Sequence, residues 1–219
     1  MEISQPTTPE PPVQQPLDPL FAIWTQPRAT IRRLVDRPAL QVMLLALVGG
    51  VYIGLSRASG RSVGNLNPTD PFLAVLLAVV FSALLSIPLL YLLAGVLRWT
   101  GRLLSGQASD KEIRTAIAWS NVPLLASLAL FALQLPLFGE ELFLSHTPRI
   151  DADPWLQIAL VGFGLLRLVL GLWGAVVFVL ALAEVQRFAI SRALVNVVLM
   201  AVAVLAPFLL LYGMVGLFS

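Results

Sequence analysis

The chain has 219 residues, of which 58% are apolar and 12% charged, with a formal net charge of +2 and a mean hydropathy of +0.87. A soluble domain carries about 25% charged residues, so this composition excludes a separate soluble domain, and so small a net charge gives no reason to expect nucleic acid. With no cysteine in the chain, disulfides, thiol catalysis and cysteine-held metals are excluded, and no cofactor is indicated.

Residues 1–17 are rich in proline, glutamine and threonine and include Pro9-x-x-Pro12. Such a segment has too little apolar surface to offset its ordering entropy, so a disordered tail is expected. It has neither the basic start nor the apolar core of a secretory leader. Over residues 20–37, Leu20, Ile23, Trp24, Ile31, Leu34 and Val35 recur at three- and four-residue spacing, with Arg28 and Arg32 on the other side. This pattern predicts an amphipathic helix in the membrane interface, with a break at Pro27 and Trp24 at headgroup depth. Trp24, Arg28, Arg32 and Arg33 are then candidate lipid contacts, each basic residue contributing about 1 kcal/mol toward anionic lipid.

Five long apolar runs follow. A hydrocarbon core of about 30 Å needs roughly 20 apolar residues in a helix. Spans are expected over 38–56, 71–97, 113–138, 155–183 and 193–217, so residues 18–219 form one all-α bundle of five membrane helices. Gly50-x-x-x-Gly54 in the first run, and Ala78, Ser82 and Ser86 in the second, would let helix backbones approach closely. Pro88, Pro123 and Pro207 fall inside runs two, three and five and predict kinks. Ser109-x-x-Glu112 is a capping box and predicts that the third helix starts at Ser109.

The basic residues fall in alternate gaps. Arg28, Arg32, Arg33, Arg37, Arg98, Arg102, Lys111, Arg114, Arg187 and Arg192 lie on one side, and Arg57, Arg61 and Arg149 on the other. Basic residues are retained in the cytoplasm during insertion. The N-terminus is therefore expected in the cytoplasm and the C-terminus outside, in the cell membrane.

A few polar groups interrupt the runs. Asn121, beside Pro123, and Gln134 each need a partner in hydrocarbon, either a second helix or a bound solute. Arg167, read from Trp155, lies about 18 Å along the fourth helix. Two placements are open. At the membrane centre an arginine costs about 2.5 to 3.5 kcal/mol and marks a functional site. If the span starts near Leu165, the side chain snorkels to the outer surface. Glu184 belongs at the cytoplasmic boundary, near Arg187 or Arg114. Asn121, Pro123, Gln134, Arg167 and Glu184 are the candidate functional positions. The single histidine, His146, lies in a polar loop and is read as solvated.

Three segments resemble a known family. Asp18-Pro19-Leu20-Phe21-Ala22-Ile23-Trp24 with Pro27-Arg28-Ala29-Thr30-Ile31-Arg32-Arg33-Leu34 is similar to the opening segment of bacterial Yip (Ypt-interacting protein) domain proteins. Ala118-Trp119-Ser120-Asn121-Val122-Pro123 resembles that family's third-span motif, with Trp for the usual Tyr. Gly171-Leu172-Trp173 and residues 182–194 resemble the stretch joining its last two spans. The resemblance implies five spans and a cytoplasmic N-terminus. Eukaryotic relatives bind prenylated small GTPases, but their Asp-Leu-Tyr-Gly-Pro motif is absent here, which puts small-GTPase binding in doubt. The resemblance supplies no catalytic residues.

No His-Glu-x-x-His, Gly-x-Ser-x-Gly or phosphate loop occurs. The expectation is a non-enzymatic membrane protein that organises proteins or lipids. Its partners would be membrane lipids and other membrane proteins, including a second copy of the chain. A small-solute transporter or lipid translocator is the alternative, carried by the kinked spans and the polar groups inside them.

Overall fold

A computed structural model describes residues 18–36, 38–60, 62–67 and 69–218. The tail over 1–17, Arg37 and Arg61 lie outside the described residues. Two short helices come first, α1 (Pro19–Thr25) and α2 (Pro27–Leu34). Then come α3 (Ala39–Gly60), α4 (Pro71–Leu103), α5 (Asp110–Trp119), α6 (Val122–Phe138), α7 (Pro148–Ala152), α8 (Pro154–Gln186) and α9 (Ile190–Phe218). Short 3-10 turns cover Val63–Leu66 and Gly139–Phe143, and no strand occurs among the described residues. Five helical segments are long and apolar enough to cross a membrane: α3, α4, α5 continued by α6, α8 and α9.

Local chemistry sets the helix starts. Asp70 accepts from the Leu73 amide at 2.9 Å, and Asp153 accepts from the Trp155 amide at 2.9 Å. Each satisfies an amide that the first helical turn leaves without a carbonyl. The Ser109 capping box forms in both directions, Ser109 N to Glu112 Oε2 at 2.7 Å and Glu112 N to Ser109 Oγ at 3.3 Å. The helices outlast the apolar runs. Both α4 and α8 have 33 residues, about 50 Å of helix, so Arg98 and Arg102 stand on the last turns of α4.

The third crossing differs from the sequence expectation. Its helix is interrupted at Ser120 and Asn121, and Pro123 sits in the first turn of the new helix α6. There its missing N–H and fixed φ are favourable, so Pro123 starts a helix rather than kinking one. Pro136 is the interior proline of α6, as Pro88 is of α4 and Pro207 of α9.

The two small-residue runs meet. A Cβ on Gly50 would lie 2.8 Å from the Ala83 Cα and 2.8 Å from the Ser82 carbonyl oxygen, and one on Gly54 would lie 2.8 Å from the Val79 Cα. The α3 and α4 backbones are thus in contact where lipid offers no hydrophobic drive for association. Two buried clusters fill the bundle. One, toward the end where α2 meets α8, includes Ile23, Ile31, Leu34, Leu45, Ile113, Val177 and Leu182. The other, toward the opposite end, includes Ala58, Val75, Phe131, Phe138, Phe143 and Ile150. Large side chains on the outside, such as Leu77, Phe81, Leu168, Leu172 and Leu209, stay exposed, as a lipid-facing surface requires.

Because the crossings alternate, Arg28, Arg32, Arg33, Arg98, Arg102, Lys111, Arg114, Arg187 and Arg192 gather at one end, called the basic end below. Arg57 and Arg149 lie at the other.

Candidate functional site

The sequence pattern over 20–37 forms two helices that turn on Gln26. The Gln26 carbonyl accepts from the Thr30 amide at 3.0 Å and from Thr30 Oγ1 at 2.8 Å, and the Gln26 amide donates to Ala22 O at 2.8 Å. These bonds satisfy the backbone groups at the turn within the protein. Ile23 and Ile31 have no exposed surface, and Leu34 has 2%. The hairpin therefore packs its apolar side into the bundle, whereas the sequence pattern placed that side in lipid. An eight-residue helix has little stability alone, so tertiary packing decides where it goes.

This packing gives the arginines protein partners. Arg32 Nε donates to Glu184 Oε1 at 2.8 Å, and Arg28 Nε lies 3.9 Å from Glu184 Oε2. The Glu184 carboxylate thus meets α2, while its backbone carbonyl accepts from the Arg187 amide at 3.2 Å. The Arg187 side chain donates to Gln107 Oε1 at 3.1 Å, and Arg114 lies 4.6 Å over the Tyr91 ring. Arg98 pairs with Asp110. Arg33, Leu20 and Phe21 face outward. Trp24 packs on the buried cluster and borders Trp173, about 16 Å along α8 from Glu184. A groove of about 450 Å³ separates α1 from α3, lined by Asp18, Leu20, Leu34, Gln41, Leu44 and Trp119.

The same end of the bundle holds a buried amide network that the sequence reading missed. Gln186 Nε2 donates to Leu97 O at 3.3 Å, and its Oε1 accepts from the Ala108 amide at 3.3 Å. Asn196 Nδ2 donates to the same Leu97 O at 3.4 Å, and Thr100 Oγ1 donates to Asn196 Oδ1 at 2.6 Å. The network joins α4, the loop before α5, α8 and α9. Asn196 lies inside the fifth apolar run, so the rule that singled out Asn121 and Gln134 would have found it.

Asn121 makes an interhelical bond: its Nδ2 donates to Leu45 O at 3.2 Å, and Gly49 leaves room for it. Gln134 is different. It is fully buried, and both side-chain polar atoms lack a partner among the described residues. The Ser127 hydroxyl on the same helix is equally buried and unpartnered. Asn121 and Gln134 are not brought together by any hydrogen bond among the described residues.

Arg167 on α8 packs against α6. It is half-buried, with Cζ 4.4 Å from the Phe131 ring centroid. It borders a groove of about 400 Å³ with Tyr52, Ser56, Ser59, Gly164 and Gly171. No carboxylate pairs with it among the described residues. At the same end of the bundle, Glu141 accepts from the amides of Arg149 (3.2 Å) and Ile150 (3.0 Å), and Asn65 bridges to Ser145 at 2.7 Å. Both contacts tie loops, and His146 is exposed between them. Among the described residues, no group of three His, Asp or Glu side chains is placed to hold a metal ion.

A family model described as Yip1 domain matches residues 21–212. Comparison with curated proteins and with solved structures yields no match.

Proposed function

The chain belongs to the Yip1 domain family, and from that premise we propose that it is a non-enzymatic protein that organises lipids or proteins at the cytoplasmic face of a bacterial cell membrane. The basic end is then the cytoplasmic end, in keeping with the retention of basic residues during insertion. The observation that carries the reading is the α1–α2 hairpin. Its apolar side is buried in the bundle and Glu184 holds two of its arginines, while Phe21, Arg32 and Arg33 face outward. A surface pair such as Arg32–Glu184 is worth about 0 to 1 kcal/mol. A lipid phosphate or an acidic partner segment can therefore compete with Glu184 for the arginines. Nothing in the proposal requires a small GTPase.

The test uses the full chain in vesicles of phosphatidylcholine containing a minor fraction of headgroup-labelled phosphatidylglycerol. Organisation of anionic lipid predicts protein-dependent self-quenching of the label. Arg32→Gln with Arg33→Gln should abolish it. Quenching that is absent, or equal with labelled phosphatidylcholine, would overturn the lipid form of the reading.

A second reading, a transporter, is favoured by one observation, the unpartnered Gln134 and Ser127 buried within α6. Polar groups in a membrane core that lack protein partners suit a passing solute. Protein-dependent release of solutes trapped in the same vesicles, lost on Gln134→Leu, would support it over the first.

A further inference from the structure

We propose that the groove around Arg167 is a binding site for the phosphate of an anionic membrane phospholipid, in the leaflet opposite the basic end. The inference is independent of the hairpin reading, because the groove belongs to the other half of the molecule.

Three features of the groove define the ligand's charge and chemistry. Arg167 presents a full positive charge with no carboxylate paired to it among the described residues. The guanidinium carbon sits over the Phe131 ring, 4.4 Å from its centroid. An aromatic ring attracts the cation but offers no oxygen acceptor, so the N–H groups call for partners from elsewhere. Tyr52, Ser56 and Ser59 recur at four- and three-residue spacing along α3 and bring three hydroxyls to the same groove. The lining holds one cation, several hydroxyl donors and no acidic group. Arginine with hydroxyl donors suits a phosphate, whose oxygens accept several charge-assisted hydrogen bonds.

The shape identifies the source. Gly164 and Gly171 stand three residues before and four after Arg167, on one face of α8. A Cβ built on either meets no atom within 4 Å, so open space flanks the arginine on both sides. The rim is formed by Leu168 and Leu172, which are 58% and 61% exposed. These leucines lie on the lipid-facing side of α8, so the groove opens sideways into the bilayer. Ser59 and Gly60, the last residues of α3, place its upper part at the helix end. A phospholipid fits this opening, with its phosphate among the hydroxyls and Arg167 and its chains along Leu168 and Leu172. Arg57, exposed at the same end of α3, adds positive potential.

The experiment uses the full chain in vesicles doped with phosphatidylglycerol or phosphatidylcholine bearing a photoreactive diazirine on the glycerol side. Adducts are mapped by peptide sequencing. Wild type should give phosphatidylglycerol adducts within residues 52–60 and 164–172, well above those from phosphatidylcholine. Arg167→Gln should reduce them about tenfold or more, as loss of a charged hydrogen bond worth roughly 1.5–3 kcal/mol implies. Gly171→Leu keeps the arginine, fills open space and should reduce them as strongly. It serves if the arginine variant inserts poorly. Soluble glycerol phosphate should not compete, and if it does the lipid assignment fails. Equal adducts from the two lipids, or adducts unchanged in both variants, would overturn the site itself.

Discussion

Arg32 and Glu184 stand 152 residues apart in the chain, yet Arg32 Nε donates to Glu184 Oε1 at 2.8 Å and Nη2 lies 2.6 Å from the same oxygen. The pair locks the second helix of the hairpin to the end of α8. Because Arg32 is 74% exposed and Glu184 19%, the bond restrains motion more than it adds stability.

Glu184→Gln should therefore leave global stability within about 1 kcal/mol of wild type. It should speed hydrogen exchange of the amides of residues 19–34 while leaving those of α4 unchanged. Exchange that rises equally in both regions would show that Glu184 supports the whole bundle instead.

Gln186→Ala should be far more damaging. It removes the partner of the buried Ala108 amide and one donor to Leu97 O, a loss of about 1 to 3 kcal/mol. Gly106→Ala should act on the same network by another route, since the new Cβ would press on Gln186 Oε1 and lie 2.9 Å from Phe188 Cζ. Unfolding in mixed detergent micelles reads both. Wild-type midpoints for both variants would refute the network's role.

Gly50→Ala should destabilise by about 1 to 3 kcal/mol, because its Cβ presses on α4 backbone atoms that cannot rotate aside. Gly95→Ala is the internal control. A Cβ there meets nothing within 4 Å, and alanine is the better helix former, so stability should hold or rise. If the two substitutions have equal effects, the close α3–α4 approach is wrong.

Gln134→Leu should hold or raise stability. It replaces two unpartnered buried polar atoms with an apolar side chain of similar size, which is neutral or favourable when no partner is lost. A drop of about 2 kcal/mol or more in the same micelle assay would mean that the amide has a partner, such as a bound water.

A reporter active only outside the cytoplasm should work when inserted at Ser145 and fail at Gly106, as the alternation of basic residues requires. The opposite pattern would invert the proposed orientation.

The five crossings were legible because each depends on a local property, an apolar run long enough for a bilayer, and the Ser109 capping box marked the start of the third. The sequence also displayed Gly50, Gly54, Ser82 and Ser86, since small residues can be recognised one helix at a time. Which helices they would bring together was not visible, because spacing along one helix names no partner. The same limit hid the hairpin. The pattern of Ile23, Ile31 and Leu34 shows that one side must leave water, but lipid and protein satisfy that need equally. Only the packing of α2 against α5 and α8 decided for protein and turned Arg28 and Arg32 toward Glu184. Arg167 was conspicuous as a charge in an apolar run. Its setting was decided by Phe131 on α6 and three hydroxyls on α3, because a charge in a membrane takes its meaning from the groups other helices bring within a few ångströms.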